Sequence, residues 1–412
     1  MKSKSRIALS ILAVGALSLA CSLLTAPAAP PVVTQPPVRV EATMPPATEP
    51  MLPTQEPSNP SNLPAGLATA RDETVTIYAS NGTQVSQVQL PQITFPQQSG
   101  FHIAGPMPPN GAAVPLLYFS FENEESLHFR DGNGQIFALM NGASFLGLTG
   151  VPGQPIVAFS QIEYLSANLR SKLYVGTIQN LTSAAPVSVI DDPESWAIKP
   201  ILVEAENGTP TKIWYTRTAY GIGGDIVFEP RKGLFVLDLA TGQASTLLDN
   251  NTSPWDVSMD REWVAYGSAP FPPNPICVKN LGSGAEACFP MLPAANDSRG
   301  TGEAVLSPDA QHVAWMEADG SLMAEVPNFN TTIRVGQRDG AIVADLPMNM
   351  FEGAVGIGPL SRAEPVGWLD NQTVIVQVRG QEWNQVALLR YDILSQGISY
   401  LAPGTFMGLV YP

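Results

Sequence analysis

Charged side chains are scarce in this chain, and basic ones are the scarcest. Only 14% of the 412 residues are charged, and 21 Lys and Arg stand against 36 Asp and Glu, for a net charge of -15. Nucleic acid and anionic lipid are bound mainly by Lys and Arg, so this balance argues against both. The sequence therefore predicts no nucleic-acid partner and no basic face that docks on a membrane.

Residues that commonly carry catalysis or bind metals are also few. The three histidines, His102, His128 and His312, do not lie at ligand spacing from one another, and no Gly-x-Ser-x-Gly elbow occurs. These absences disfavour a histidine metal site and a serine hydrolase of the elbow type. From the sequence we expect no catalytic residue, no metal and no cofactor.

Cysteine is limited to three residues, which fall into two groups. Cys21 ends the N-terminal apolar segment, whereas Cys277 and Cys288 face each other across a hairpin whose turn is Gly282-Ser283-Gly284. Cross-strand cysteines in an exported chain predict a disulfide, which would stabilise the fold by about 3 kcal/mol. Two reduced, packed thiols are the alternative.

The N-terminal residues have the form of an export signal. Three basic residues precede an apolar run over Ile7–Ala20, which is short for a membrane-spanning helix. The segment Leu17–Cys21 resembles a bacterial lipobox, although Ser18 stands where leucine is usual. The resemblance implies that Cys21 becomes the lipid-modified first residue of a membrane-anchored lipoprotein outside the cytoplasm. Ordinary cleavage near Ala26–Ala29 would instead give a soluble secreted protein.

A segment rich in Pro and Thr follows the signal. Residues 22–65 hold few aliphatic side chains and no periodicity, which predicts an extended, disordered tether. In polyproline geometry, at about 3.1 Å per residue, it could reach on the order of 100 Å. The predicted organisation is a signal peptide over residues 1–21, this tether, and one folded domain over residues 66–412. Membrane contact is expected through the lipid anchor alone.

Repeated hairpins are the main feature of the folded domain. Over Leu234–Leu248, apolar residues cluster on both sides of a Thr241-Gly242 turn, where glycine supplies the positive φ that the turn requires. Similar hairpins are predicted at about 75–90, 127–140, 173–190, 276–292, 322–335 and 388–401. They start roughly 42 to 66 residues apart, which is typical of four-stranded propeller blades.

A nine-residue element recurs between the hairpins. Its copies are Ser307–Trp315, Ser258–Tyr266 and, more loosely, Trp368–Val376. In each copy an Asp opens a turn, where its carboxylate can accept backbone N–H groups, and an apolar strand follows. These aspartates, which we expect to be structural, are Asp260, Asp309 and Asp370.

The nine-residue copies resemble the Ser-Pro-Asp-Gly-x-x-(Val/Ile)-Ala-(Tyr/Trp) signature of TolB-like, or WD40-like, β-propeller repeats. Ala310, Arg261 and Asn371 stand where the signature has glycine. The resemblance implies an all-β fold with a single propeller. TolB carries an N-terminal domain where this chain has its tether, so the partners of TolB are not expected here.

The number of hairpins predicts the number of blades. Seven hairpins indicate about seven four-stranded blades, or six if residues 66–140 form one blade. The last segment, Thr405–Pro412, is predicted to pair into the first blade beside residues 73–90. Such pairing would close the ring and leave no exposed sheet edge.

The candidate binding surface consists of loops that join the second and third strands of the blades. In this family such loops gather on one face around the axis. The residues singled out are Arg217, Tyr220, Asp225, Phe271 and Trp383. Long loops and aromatic side chains on a rigid ring suit recognition, although the rings could instead pack beneath their own loops.

These features predict a lipid-anchored propeller that acts as a non-catalytic binding or scaffolding protein. Its partner would be a protein, peptide or carbohydrate of the cell envelope, and the chain would not be an enzyme. The alternative is a cell-envelope hydrolase or lyase that acts on polysaccharide with carboxylates on the propeller face. That alternative requires two acids to converge in space.

Overall fold

Short strands with alternating apolar residues build the folded domain. In the strand Thr74–Ala79, for example, Val75 and Ile77 are buried, whereas the intervening threonines are half-buried. The computed structural model describes residues 63–90, 100–108, 112, 114–121, 125–142, 144–165, 168–220, 227–268, 274–293, 299–321, 328–382 and 384–412. The predicted signal, Cys21 and most of the predicted tether lie outside the described residues.

The described residues form 28 strands. In chain order these are β1 (Gly66–Arg71), β2 (Thr74–Ala79), β3 (Gln84–Gln89), β4 (Phe101–Ile103), β5 (Leu116–Phe121), β6 (Glu125–Arg130), β7 (Ile136–Gly142), β8 (Phe145–Gly150), β9 (Ile156–Tyr164), β10 (Leu169–Thr177), β11 (Ser188–Asp192), β12 (Trp196–Glu206), β13 (Thr209–Ala219), β14 (Arg231–Asp238), β15 (Ala244–Leu248), β16 (Thr252–Val257), β17 (Trp263–Ser268), β18 (Cys277–Asn280), β19 (Glu286–Cys288), β20 (Arg299–Leu306), β21 (His312–Ser321), β22 (Asn328–Gln337), β23 (Ile342–Pro347), β24 (Leu360–Trp368), β25 (Thr373–Gly380), β26 (Val386–Asp392), β27 (Gly397–Pro403) and β28 (Thr405–Val410). The one α-helix among them is α1 (Asn349–Val355), and no helix of the described residues is long and apolar enough to cross a membrane.

The strands form seven four-stranded antiparallel sheets. Blade 1 contains β28, β1, β2 and β3, and each later blade contains four consecutive strands, from β4–β7 in blade 2 to β24–β27 in blade 7. The inner edge strand of each sheet contacts a neighbouring sheet: β8 contacts β4 and β12, β16 contacts β14 and β20, β20 contacts β24, and β28 contacts β4 and β26. Residues of β8, β12, β16, β20, β24 and β28 line a cavity in the central channel. The predicted β-propeller of seven blades is therefore confirmed.

The C-terminal strand closes the ring, as predicted. β28 pairs antiparallel with β1, with Gly66 opposite Val410 and Ala70 opposite Thr405. The sequence predicts that the C-terminal segment pairs beside residues 73–90. Its partner in the structure, β1, belongs to the same blade and lies just before those residues in the chain. The alternative of six blades is wrong, because residues 66–140 contribute to two separate sheets.

The three repeat aspartates hold the turns between the first two strands of blades 5, 6 and 7. Asp260, Asp309 and Asp370 each accept the backbone N–H two residues on, at 2.8 to 3.0 Å. Arg261 and Ala310, which replace the signature glycine, have φ of 63° and 52°. The aspartate bonds keep the turn even where the residue in the left-handed region is not glycine.

The core lies between neighbouring blades. Trp315 of blade 6 packs on Phe289 of blade 5 with ring centroids 4.6 Å apart. Trp368 of blade 7 is buried and donates its indole N–H to the Val305 carbonyl of blade 6 at 3.0 Å. Each large side chain buried in this way stabilises the ring by roughly 2–3 kcal/mol.

A disulfide joins two strands at the outer edge of blade 5. Cys277 of β18 lies opposite Cys288 of β19, and their sulfur atoms are bonded. This hairpin is short, so the covalent bond fixes the pairing of strands that form few backbone hydrogen bonds.

Candidate functional site

The loop face predicted for binding is only partly described. Asp225, Phe271 and Trp383 lie outside the described residues. Arg217 lies within β13 and not in the loop that follows; its guanidinium group is 5.3 Å from the ring centroid of Phe235. Its guanidinium group also lies 3.7 Å from the carboxylate of Asp192 in β11, so it is engaged by its own blade and by blade 3.

Tyr220 lies just beyond β13 and forms an aromatic pair. Its ring centroid is 5.8 Å from that of Tyr164, and the rings are tilted by 38°. Tyr164 is 61% exposed. Of the five residues singled out on this face, Tyr220 is therefore the one that the structure places in an aromatic pair at the surface.

A second group of polar residues, which the sequence did not single out, lies around the central channel. We call it the charged cluster. Its members come from blades 4, 6 and 7 and are Lys199, Glu229, Arg231, Glu303, Arg362 and Glu364. Lys199, Glu303, Arg362 and Glu364 belong to inner strands, which brings residues far apart in sequence to one place.

Glu229 joins the two cations of blade 4. Lys199 Nζ donates to its two carboxylate oxygens at 2.8 and 2.6 Å, and Arg231 donates through Nε and Nη2 at 3.0 and 2.8 Å. Burial by itself would raise the pKa of Glu229, but the two cations and their hydrogen bonds outweigh it and hold that pKa far below its ordinary value. Burial lowers the pKa of Lys199, although the Glu229 carboxylate opposes this shift; with all three groups ionised, the triad carries a net charge of about +1.

Glu364 has the same role in blade 7. Arg362 Nη2 lies 2.5 Å from its carboxylate, and Arg379 lies 3.6 Å away. Burial alone would raise the pKa of Glu364, yet the two guanidinium groups lower it overall. The Nε atom of Arg362 is buried and has no hydrogen-bond partner among the described residues.

Glu303 has an unusual backbone conformation. Its φ is 50°, in a two-residue bulge of β20, whereas the corresponding bulge of β8 places Gly147 there with φ of 66°. Its carboxylate forms an ion pair of 3.9 Å with Arg362, and burial raises its pKa. A left-handed glutamate costs about 1–2 kcal/mol relative to glycine, and such strain clusters at functional sites.

Two cavities share the channel beside this cluster. The first, about 270 Å³, is lined by Lys199, Arg231 and Trp255, and the second, about 320 Å³, by more apolar residues of six blades. Asp256 lines both cavities. Its carboxylate accepts the Leu306 N–H at 2.7 Å, but burial outweighs this bond and raises the pKa of Asp256 to about 6.

Cations and carboxylates are paired in and beside the charged cluster. Lys199 and Arg231 pair with Glu229, and Arg362 and Arg379 pair with Glu364; these pairs lower the pKa values of both carboxyl groups. Burial raises the pKa of Asp256 to about 6 and also raises that of Glu303.

The described residues contain one group with the composition of a metal site. It comprises Cys277, Glu286 and Cys288. Because the two cysteines are bonded to each other, their sulfur atoms are not thiolate ligands. We assign no metal to this group.

These observations define the class as a seven-bladed β-propeller with a charged central channel. No family model and no curated protein matches the sequence. Solved structures with a similar fold include TolB from Acinetobacter baumannii, which is 14% identical with a TM-score of 0.39 and matches 84% of this chain and 81% of its own. TolB is thus among the similar structures, in agreement with the repeat signature.

Two enzymes are also among the similar structures. An oligogalacturonate lyase in complex with manganese is 13% identical, with a TM-score of 0.46, over 83% of this chain and 86% of its own. A puromycin-hydrolysing peptidase from Mycobacterium tuberculosis is 11% identical, with a TM-score of 0.48, over 84% of this chain and 54% of its own.

The prediction of a non-catalytic binding or scaffolding protein is therefore wrong. Similar rings occur in a lyase and a peptidase as well as in TolB, so this fold is consistent with enzymes and with binding proteins. Function has to be argued from the channel and its side chains.

Proposed function

We propose that the central channel binds a small organic anion, with the anionic group against Lys199 and Arg231. The observation that carries this proposal is the cavity of about 270 Å³ whose wall contains both cations. Its size is close to that of small-molecule sites, which hold a few convergent polar groups. The proposal concerns recognition in the channel and leaves open any reaction that follows.

The two cations are suited to an anion because they are desolvated and held in place. Both side chains are only 13% exposed. The Arg231 guanidinium lies 4.8 Å from the ring centroid of Trp255, which fixes its plane. After the bonds to Glu229, one N–H of the Lys199 ammonium remains for a ligand. In a channel of low dielectric, such charge-assisted bonds are strong.

Binding of simple carboxylates tests the proposal. Acetate and succinate, titrated at constant ionic strength, are expected to raise the melting temperature by mass action. Lys199→Met is expected to weaken binding about tenfold or more, and Lys199→Arg to restore it in part, because charge is kept. Arg170→Met, which removes a surface ion pair with Asp191, serves as the matched control and should bind like the wild type.

Two results would overturn the proposal. One is a wild-type protein whose melting temperature and calorimetric heat do not respond to either carboxylate. The other is equal affinity in the wild type and Lys199→Met, provided that both variants are folded by circular dichroism.

We also propose that the protein acts outside the cytoplasm, anchored by lipid at Cys21. The export-signal pattern and the lipobox resemblance support the anchor. The Cys277–Cys288 disulfide supports an oxidising compartment.

A further inference from the structure

The second cavity of the channel has mostly apolar walls, although Arg261 and Asp256 also line it. It measures about 320 Å³ and is lined by apolar side chains that include Val305, Val366, Trp368 and Leu409. These residues come from blades 6, 7 and 1, so the cavity is formed by the ring as a whole. Binding to apolar walls of this kind is favourable when apolar surface of a ligand replaces water.

The apolar cavity adjoins the cationic one. Thr149, Ile201, Leu202, Asp256 and Val257 line both of them. A ligand that occupies both cavities would pass Asp256. The cationic end and the apolar end together form one amphipathic space.

We infer that the ligand is an organic acid with an unbranched aliphatic chain, whose carboxylate lies at the cationic cavity and whose chain fills the apolar cavity. This inference rests on the proposed function, because it places the head group at the same two cations. The shared wall of the two cavities, and the mostly apolar lining of the second, favour this occupant over a purely polar one.

The residue at the junction fits such a chain. Asp256 satisfies its carboxylate with two backbone N–H groups, from Leu306 at 2.7 Å and from Val257 at 2.9 Å. Its polar atoms are thus turned to the protein backbone, and a passing methylene group does not leave them without partners. The hydroxyl-bearing Tyr411 also lines the apolar cavity.

A chain-length series tests the inference. Acetate, butanoate, hexanoate, octanoate and decanoate are titrated into the purified protein by calorimetry, below their micellar concentrations. We expect affinity to rise roughly threefold to fourfold for each added CH₂ group until the cavity is filled, and then to level off. A heat-capacity change that becomes more negative with chain length should accompany the rise.

The possible outcomes separate the two proposals. If acetate and octanoate bind equally, the aliphatic-chain inference is overturned while the anion site stands. If no member of the series binds, the proposed function itself fails. If affinity rises without levelling off and is unchanged in Lys199→Met, the chain is binding elsewhere and the inference is also overturned.

Variants of the apolar wall sharpen the test. Val305→Ser should flatten the chain-length dependence and leave acetate affinity unchanged. Leu409→Ser provides a second route to the same result if Val305→Ser does not fold. Leu394→Ser, at a position that is 71% exposed, is the matched control and should keep the wild-type slope. An unchanged slope in both folded wall variants would contradict the inference.

Discussion

Glu303 has a backbone conformation that glycine adopts at the corresponding bulge of another blade. Where blade 3 uses Gly147 in the left-handed region, blade 6 holds a glutamate in the same kind of bulge. The sequence gives no sign of this, because the bulge is set by pairing with the next strand and not by local turn chemistry. Its conformation and its ion pair with Arg362 lead to the hypothesis that Glu303 has a role in the channel.

Two substitutions of Glu303 separate the effect of backbone strain on stability from the effect of the carboxylate charge. Glu303→Gly and Glu303→Ala both remove the carboxylate, but only glycine relieves the backbone. We expect the glycine variant to be more stable than the alanine variant by about 1 kcal/mol, and at least as stable as the wild type. Urea unfolding measures the difference.

Gly147→Ala is the reverse experiment, because it introduces a side chain at the corresponding bulge of β8. An added Cβ would lie 2.9 Å from side-chain atoms of Lys199 and Pro200, at a φ of 66°. It should therefore destabilise the protein by about 1–3 kcal/mol. If both Glu303 variants lose more than about 1 kcal/mol, the glutamate serves as a structural charge partner and the functional explanation of its strain is wrong.

Asp256 should make stability depend on pH. Its folded pKa is about 6 against an ordinary value of 3.8. The folded protein holds this proton to a higher pH than the unfolded chain does. The stability that Asp256 contributes is therefore fully present below about pH 4 and is lost as pH rises through 6. Asp256→Asn removes this loss, and the wild type should lose about 1–3 kcal/mol relative to the variant between pH 4 and 7.

Unfolding free energies of the two proteins, measured at several pH values, check this. His102, whose pKa burial lowers to about 4, has the opposite sign and cancels in the difference between the two proteins. A constant difference across pH 4 to 7 would show that the Asp256 carboxyl titrates as in the unfolded chain.

At the scale of elements, the outer hairpins could be predicted and the channel could not. Leu234–Leu248 forms β14 and β15 because its apolar pattern and Gly242, with φ of 69°, are contiguous in sequence. The hairpin expected at 322–335 lies later, as β22 and β23 around Gly340. The charged cluster has no such local pattern, since its members meet only after inner strands of different blades converge.

Closure by β28 should be essential to the ring. Truncation after Gly404 would remove the strand that pairs with β1 and expose an open sheet edge. We expect the melting temperature to fall by roughly 10 °C or more, or the chain to aggregate. Scanning calorimetry and gel filtration measure both effects.

A synthetic peptide of residues 405–412 provides the complementary experiment. Added in excess, it should pair with β1 and recover part of the lost stability. The same peptide with serine at Phe406 and Val410, both buried in the ring, should not. An unchanged melting temperature in the truncated chain would mean that the strand pairing contributes little.

At the scale of the whole molecule, charge is distributed unevenly. The chain has a net charge of -15, whereas the charged cluster at the channel holds as many cations as carboxylates. At physiological ionic strength charges are screened beyond about 8 Å, so the acidic exterior has little effect on an anion already inside the channel. The proposed preference for an anion therefore depends on the individual side chains of the channel and not on the net charge of the chain.

The predicted anchor concerns the molecule as a whole and is tested at Cys21. If this cysteine is lipidated in the native host, the mature protein should partition into the detergent phase on phase separation, and Cys21→Ser should move it to the aqueous phase. Two acyl chains bury enough CH₂ groups to hold a protein on a membrane stably, whereas a chain with a net charge of -15 is not expected to bind anionic lipid by charge alone. Cys277→Ser, which breaks the disulfide and leaves Cys21 intact, is the matched control and should stay in the detergent phase. If the unaltered protein partitions into the aqueous phase, Cys21 is not lipidated and a soluble secreted form is favoured.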